Sequence, residues 1–221
     1  LRDVLRLDVD DPIELVTPTG RYNATILQMR KNSAEILVRS AVQKKESSCR
    51  YILWQSMIKP SKMDEVMDIA TEMGVSEIVP LITERSTLPP RQPTEIESRT
   101  KRWQRIIVSA AKQAKRDYVP SVSSPISLEK ALHSSSEEDE IRIFFWECAE
   151  NKDITVYLHS KQASRKVILL IGPEGGFSQE EASRIIQSGF VPASFGPTIL
   201  RAEYAGLFAL GLVRYLLYLA S

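Results

Sequence analysis

Five consecutive apolar residues, Val167-Ile168-Leu169-Leu170-Ile171, constrain the fold more than any other feature of this chain. A run too short for a helix and apolar at every position has no side to give to water, which is the pattern of a strand covered on both faces. Residues 141–145 read the same way, and 51–57 and 78–82 read as further strands. Helical patterns lie between them. Ser61 and Asp64 resemble an N-cap for a helix with Met63, Val66, Met67 and Ala70 inward, closed by Gly74. Residues 95–116 read as a long helix with Ile106, Ile107, Ala110 and Ala114 inward, and the acidic stretch 134–140 as a solvated surface loop. Alternation of this kind predicts an α/β domain with a mostly parallel sheet flanked by helices.

The first part of the chain has another rhythm. Apolar runs at 13–17, 22–29 and 34–39 are separated by Thr19-Gly20 and Lys31-Asn32, which predicts antiparallel hairpins in a small β-domain. The polar run 43–48 is the expected linker, dividing the 221 residues into a β-domain at 1–46 and a second domain at 47–221. A content of 43% hydrophobic and 26% charged residues excludes a wholly disordered or fibrous chain. Because 29 basic residues nearly balance 28 acidic ones, affinity for nucleic acid must come from local clustering. Cys49 and Cys148 stand alone, which suggests neither a disulfide framework nor a metal site and makes a reducing cytoplasm the simplest compartment. Arg214 interrupts the apolar stretch 205–220, so no membrane span is expected. No secretory signal is read, and an opening at Leu1 rather than Met predicts further residues upstream.

The strand at 167–171 runs into Gly172-Pro173-Glu174-Gly175-Gly176, and Ser178 with Glu181 forms a capping box for the helix that follows. Ligands of parallel sheets sit at the carboxyl ends of strands, and paired glycines admit a ligand close to the backbone. The spacing fits neither of the familiar phosphate loops, and Glu174 would repel a polyphosphate. S-adenosylmethionine, a sulfonium without phosphate, avoids that repulsion; a tight turn with no ligand is the other reading. A second Gly-Pro turn, Phe195-Gly196-Pro197-Thr198-Ile199-Leu200-Arg201-Ala202-Glu203, leads into a helix with Ala205, Phe208, Ala209, Leu212, Val213 and Leu216 on one face. Together the two turns would make one pocket wall, and the helix face reads as core or as a dimer seam.

These two segments resemble the paired signatures of the RsmE family of SPOUT-class ribosomal RNA methyltransferases. Further matches, in the same order along the chain, are 59–63, 70–75, 78–81 with Glu84-Arg85-Ser86, and Arg102-Trp103 leading to Gln113 and Arg116. The resemblance implies a PUA-like β-barrel followed by an α/β domain tied in a deep trefoil knot, a departure from the rule that chains are unknotted. It also implies a homodimer that moves a methyl group from S-adenosylmethionine to N3 of a uridine in small-subunit (16S) ribosomal RNA, the assembled subunit being the expected substrate. Leu170, Ile171, Gly172, Glu174, Gly175, Gly176, Phe195, Gly196, Ile199 and Leu200 are then the expected cofactor-binding residues. The family pattern Gly-Pro-Arg-Ile-Leu-Arg-Thr-Glu-Thr is not fully kept: Thr198, Ala202 and Tyr204 replace Arg, Thr and Thr, and Ala114 stands where a small polar residue or Cys is usual.

Methyl transfer needs alignment, and removal of the uridine N3 proton needs help. Arg201 is expected to stabilise charge on a uracil oxygen, while Glu203 orients Arg201 or takes the proton; an Arg201–Glu203 salt bridge at the helix start is the plainer alternative. Residues 99–116 carry seven Lys or Arg and no acidic residue, with Arg102, Arg105, Lys112 and Arg116 expected on one face. That face, with Lys59, Lys62 and Arg85, is the expected RNA surface. Trp54, Trp103 and Trp146 are expected in the core, and His133 and His159 receive no role. Two other readings stay open: a nucleotide-binding enzyme using residues 172–176, and a non-catalytic RNA-binding or ribosome-assembly protein.

Overall fold

The computed structural model describes residues 7–31, 33–42, 49–133, 139–149, 154–161 and 163–219. The linker expected at 43–48 and most of the acidic stretch 134–140 lie outside them. Strands β1 (Pro12–Thr17), β2 (Gly20–Met29) and β3 (Ala34–Ala41) form an antiparallel sheet in that order. Its first hairpin is closed by the Thr17 hydroxyl, which accepts from the N–H groups of Thr19 and Gly20. The second sheet follows: β4 (Arg50–Ser56), α1 (Pro60–Glu72), β5 (Glu77–Ile82), α2 (Pro93–Gln113), β6 (Ser121–Val122), β7 (Ile126–Ser127) and α3 (Leu128–Leu132). Then come β8 (Glu140–Phe145), α4 (Ile154–Ser160), β9 (Lys166–Ile171), α5 (Gln179–Gln187), β10 (Val191–Ala193) and α6 (Ala202–Leu219). The order is β10-β8-β9-β4-β5-β6 with β7 also on β5, and every described pair in this sheet is parallel. The α/β architecture with a parallel sheet is therefore the one the apolar runs predict.

Strand alternation divides the core in two. Leu53, Ile143, Phe145, Val167, Leu169 and Ile171 face α1, α2 and α6, whereas Ile52, Trp54, Phe144, Ile168 and Leu170 face α3 and α5. Each fully buried Ile, Leu or Phe contributes about 1.5–3 kcal/mol, so neither face can be left uncovered. The two sheets also join: the Val119 N–H donates to the Thr17 carbonyl at 3.2 Å, and Arg21 pairs with Asp117 at 3.5 Å.

Several local expectations are corrected. Helix α1 begins at Pro60, not through a Ser61 cap, because proline presets the first helical φ and keeps Lys59 extended at ψ 137°. Helix α2 likewise starts on Pro93 and buries Trp103, Ile107, Ala110 and Ala111, while Ala114 is its exposed C-cap. Glu140 is no solvated loop residue: it opens β8, is buried, and binds the guanidinium of Arg142 and, at 2.9 Å, the ammonium of Lys166. On α6 the buried residues are Ala202, Glu203, Ala205, Gly206, Leu207, Ala209, Leu210 and Val213, and Phe208 is 53% exposed. That helix is apolar on most sides, so its periodicity could not select a face. Gly206 selects it, lying against Gln55, Leu53 and Ile171, where any side chain would crowd the sheet. Length and composition alone would let α6 cross a membrane, yet here it packs on α1, β4 and β9, and Arg214 donates to the Met73 carbonyl.

Candidate functional site

At the carboxyl end of β9 the chain turns through residues 172–177, and the Glu174 side chain and the Gly175 carbonyl of that turn are held from outside. The Glu174 carboxylate accepts from the Lys59 N–H at 3.1 Å and the Thr87 hydroxyl at 2.8 Å. Arg85 donates to the Gly175 carbonyl at 2.9 Å, and Glu181 accepts from the Glu84 N–H at 2.8 Å. Ser178 and Glu181 form the expected capping box, which fixes where α5 starts. Burial would push the Glu174 carboxyl up, but hydrogen bonds from its own N–H, from Thr87 and from Lys59 hold it below the ordinary glutamate range. Gly176 has a φ of +67°, a conformation that favours glycine.

Beside this turn lies the second Gly-Pro segment. Phe195 stacks on Phe145 with ring centroids 4.3 Å apart and meets Phe208 edge-on at 5.2 Å. The Arg201 carbonyl accepts from the N–H groups of Tyr204 and Ala205, which starts α6 and buries Glu203. The two segments line one cavity of about 830 Å³. Ile171, Gly172, Glu174, Gly175, Gly176, Phe195, Gly196, Ile199 and Leu200 of the predicted cofactor set all line it, together with Arg201 and Glu203. Leu170 does not: it is fully buried in the core on the other side of the sheet, because neighbouring strand residues point opposite ways.

The Arg201–Glu203 salt bridge does not form. The ion-pair partner of Glu203 is Lys62, with Nζ 3.7 Å from the carboxylate and 2.9 Å from that of Glu65, while the Arg201 guanidinium is exposed and without a polar partner among the described residues. Lys59 and Lys62, expected at the RNA surface, line the cavity itself. Arg85 is committed to the turn. On α2, Arg99 and Lys101 pair with Glu95 and Glu97, and Arg102 with Asp64 at 2.6 Å. Arg105 and Lys112 remain along a shallow hollow of about 500 Å³. Arg116 must be removed from the expected RNA surface: it is 4% exposed and donates to the Thr71 and Val75 carbonyls.

Phe145, Trp146 and Glu147, at and just past the end of β8, also line the cavity and are not among the residues the sequence singles out. The sequence does carry a signal for them, since 141–145 has the pattern of a parallel strand and ligands gather at such carboxyl ends. Among the described residues no group of His, Cys, Asp and Glu is arranged to hold a metal ion.

The chain is similar to known proteins over most of its length. Residues 45–214 match the family model of the RNA methyltransferase domain, so the chain belongs to that class. A ribosomal RNA small subunit methyltransferase E from Aquifex aeolicus is 30% identical over 203 residues, 91% of this chain and 84% of that protein. A Neisseria gonorrhoeae protein of the same name, solved with S-adenosyl methionine, superposes with a TM-score of 0.80 at 27% identity over 97% of this chain and 87% of that one. A Legionella pneumophila methyltransferase solved with the same cofactor gives a TM-score of 0.81 at 29% identity, covering 97% and 86%. Within the class, the chain is a member of the ribosomal RNA small subunit methyltransferase E family.

Proposed function

We propose that this chain transfers a methyl group from S-adenosylmethionine to N3 of a uridine in small-subunit ribosomal RNA. The observation that carries the reading is the single cavity joining the two Gly-Pro turns, with Arg201 and Glu203 on its wall. Its size suits a small cofactor. Paired phenylalanines and glycine backbone provide an apolar seat. When bound, S-adenosylmethionine supplies a methyl group on a sulfonium.

The chain's own residues do the rest. The two turns would position the donor for an in-line approach, and positioning of this kind accounts for much of the acceleration in such a displacement. The unpaired Arg201 guanidinium stabilises negative charge on a uracil oxygen, and Glu203 takes or directs the N3 proton. Phosphates of the RNA meet Arg105 and Lys112 on α2, with Lys59 and Lys62 nearer the reacting base.

The family architecture extends this reading. The path from β10 through 194–201 into α6, which packs back on α1, β4 and β9, supports a trefoil knot. The antiparallel β1–β3 sheet supports a PUA-like domain at 1–46, leaving 47–221 as the methyltransferase domain. Exposed Tyr204, Phe208, Tyr215 and Tyr218 on α6 support a homodimer, in which a second copy covers them. The enzyme then works in the cytoplasm on the assembled small subunit.

Replacing Arg201 by Ala tests the reading. Labelled S-adenosylmethionine and small subunits lacking the modification should give a mapped methyluridine with the parent protein. The variant should lose turnover while binding the cofactor within a few-fold of the parent; unchanged turnover removes Arg201 from the mechanism.

A further inference from the structure

Three carboxylates line the cavity, and two are already engaged: Glu174 by Lys59 and Thr87, Glu203 by Lys62. Glu147 has no hydrogen-bond or ion-pair partner among the described residues. It is nonetheless not on a loose segment. The preceding Trp146 donates its N–H to the Ala193 carbonyl at 2.9 Å and stacks on Phe144 at 6.0 Å, and the Ala149 N–H closes a turn onto the Trp146 carbonyl at 3.1 Å. The carboxylate is thus carried by a short turn anchored to β10 and to the end of β8.

Gly176 provides a second, independent observation. A Cβ there would run into the Glu147 carboxylate, reaching its Cδ at 3.1 Å. The absence of a side chain at Gly176 therefore leaves room for the acidic group at the end of β8, in addition to permitting the +67° φ. A carboxylate only accepts hydrogen bonds, so a cavity that presents a free one at its wall selects ligands with donors facing it.

We infer that Glu147 is a specificity-determining residue that binds hydrogen-bond donors of the S-adenosyl ligand. The inference rests on the S-adenosylmethionine reading above. Two parts of that ligand have the required chemistry, the vicinal ribose hydroxyls and the α-ammonium group. Either contact also disfavours a phosphate at this wall, which adds to the effect of Glu174 in separating S-adenosyl ligands from nucleotides.

Calorimetry on the full chain and its Glu147→Gln variant tests this with S-adenosylhomocysteine and methylthioadenosine, the latter keeping the ribose but lacking the ammonium. Glutamine preserves shape, and equal thermal unfolding of the two proteins verifies folding. S-adenosylhomocysteine should bind the variant about tenfold more weakly, the scale of one charge-assisted hydrogen bond. An equal loss with methylthioadenosine assigns the contact to the ribose; a loss confined to S-adenosylhomocysteine assigns it to the ammonium. Affinities within twofold of the parent for both ligands overturn the inference and leave the cofactor reading standing. Failure of the parent itself to bind S-adenosylhomocysteine overturns the cofactor reading, and the inference with it.

Discussion

Arg116 and Arg105 lie eleven residues apart in the same basic run, and exchanging each should have opposite consequences. Arg116 is 4% exposed, and its Nη1 donates to the Thr71 carbonyl at 3.0 Å and the Val75 carbonyl at 2.5 Å. Thr71 lies in the last turn of α1 and Val75 just past its end, where the helix dipole favours a cation. Two hydrogen bonds from a charged donor contribute roughly 1.5–3 kcal/mol each, and release of the buried charge recovers part of that. Arg116→Met, which keeps most of the apolar stem, should therefore lower stability by about 3–5 kcal/mol, read as an earlier urea midpoint with an unchanged slope. At a temperature where it is fully folded, its RNA affinity should equal that of the parent. Arg105→Ala should leave stability within about 0.5 kcal/mol, weaken RNA binding across sequences and reduce the salt slope by about one. An Arg116→Met protein as stable as the parent but defective in RNA binding would refute the reasoning.

Glu140→Gln should cost about 3 kcal/mol in chemical denaturation, because it leaves the buried Arg142 without its charge partner; an unchanged midpoint would show that the pair adds nothing to stability. The Glu174 carboxyl is held below the ordinary glutamate range, so its contribution is complete above that range, near pH 4.3, and is lost as pH falls through its folded value. The melting-temperature difference between the parent and Glu174→Gln should accordingly be largest near neutrality and shrink on acidification, and a difference independent of pH would contradict the anchoring role.

Local chemistry was legible where a residue's own neighbours in the chain decide its state. The run at 167–171 had to be a doubly covered strand, Ser178 and Glu181 had to start a helix, and two Gly-Pro turns marked both halves of the cavity. The family resemblance rested on these same residues and carried the cofactor with it. Where packing partners are distant in sequence, the pattern was silent or misleading. Arg116 looked like its basic neighbours until the chain left the helix and turned it toward α1. Glu140 looked like the end of an acidic loop until Lys166 and Arg142 gathered around it.

The chain by itself determined the α/β class, the position of the turns and most of the side chains on the cavity wall, because strand length, glycine placement and helix caps are short-range constraints on φ and ψ. Only the tertiary structure decided which side of the apolar helix α6 is buried, that Leu170 faces away from the cavity, that Lys62 rather than Arg201 pairs with Glu203, and that Glu147 completes the wall. Each of those outcomes depends on contacts between segments far apart in the chain, where direction is set by what a side chain meets across the core.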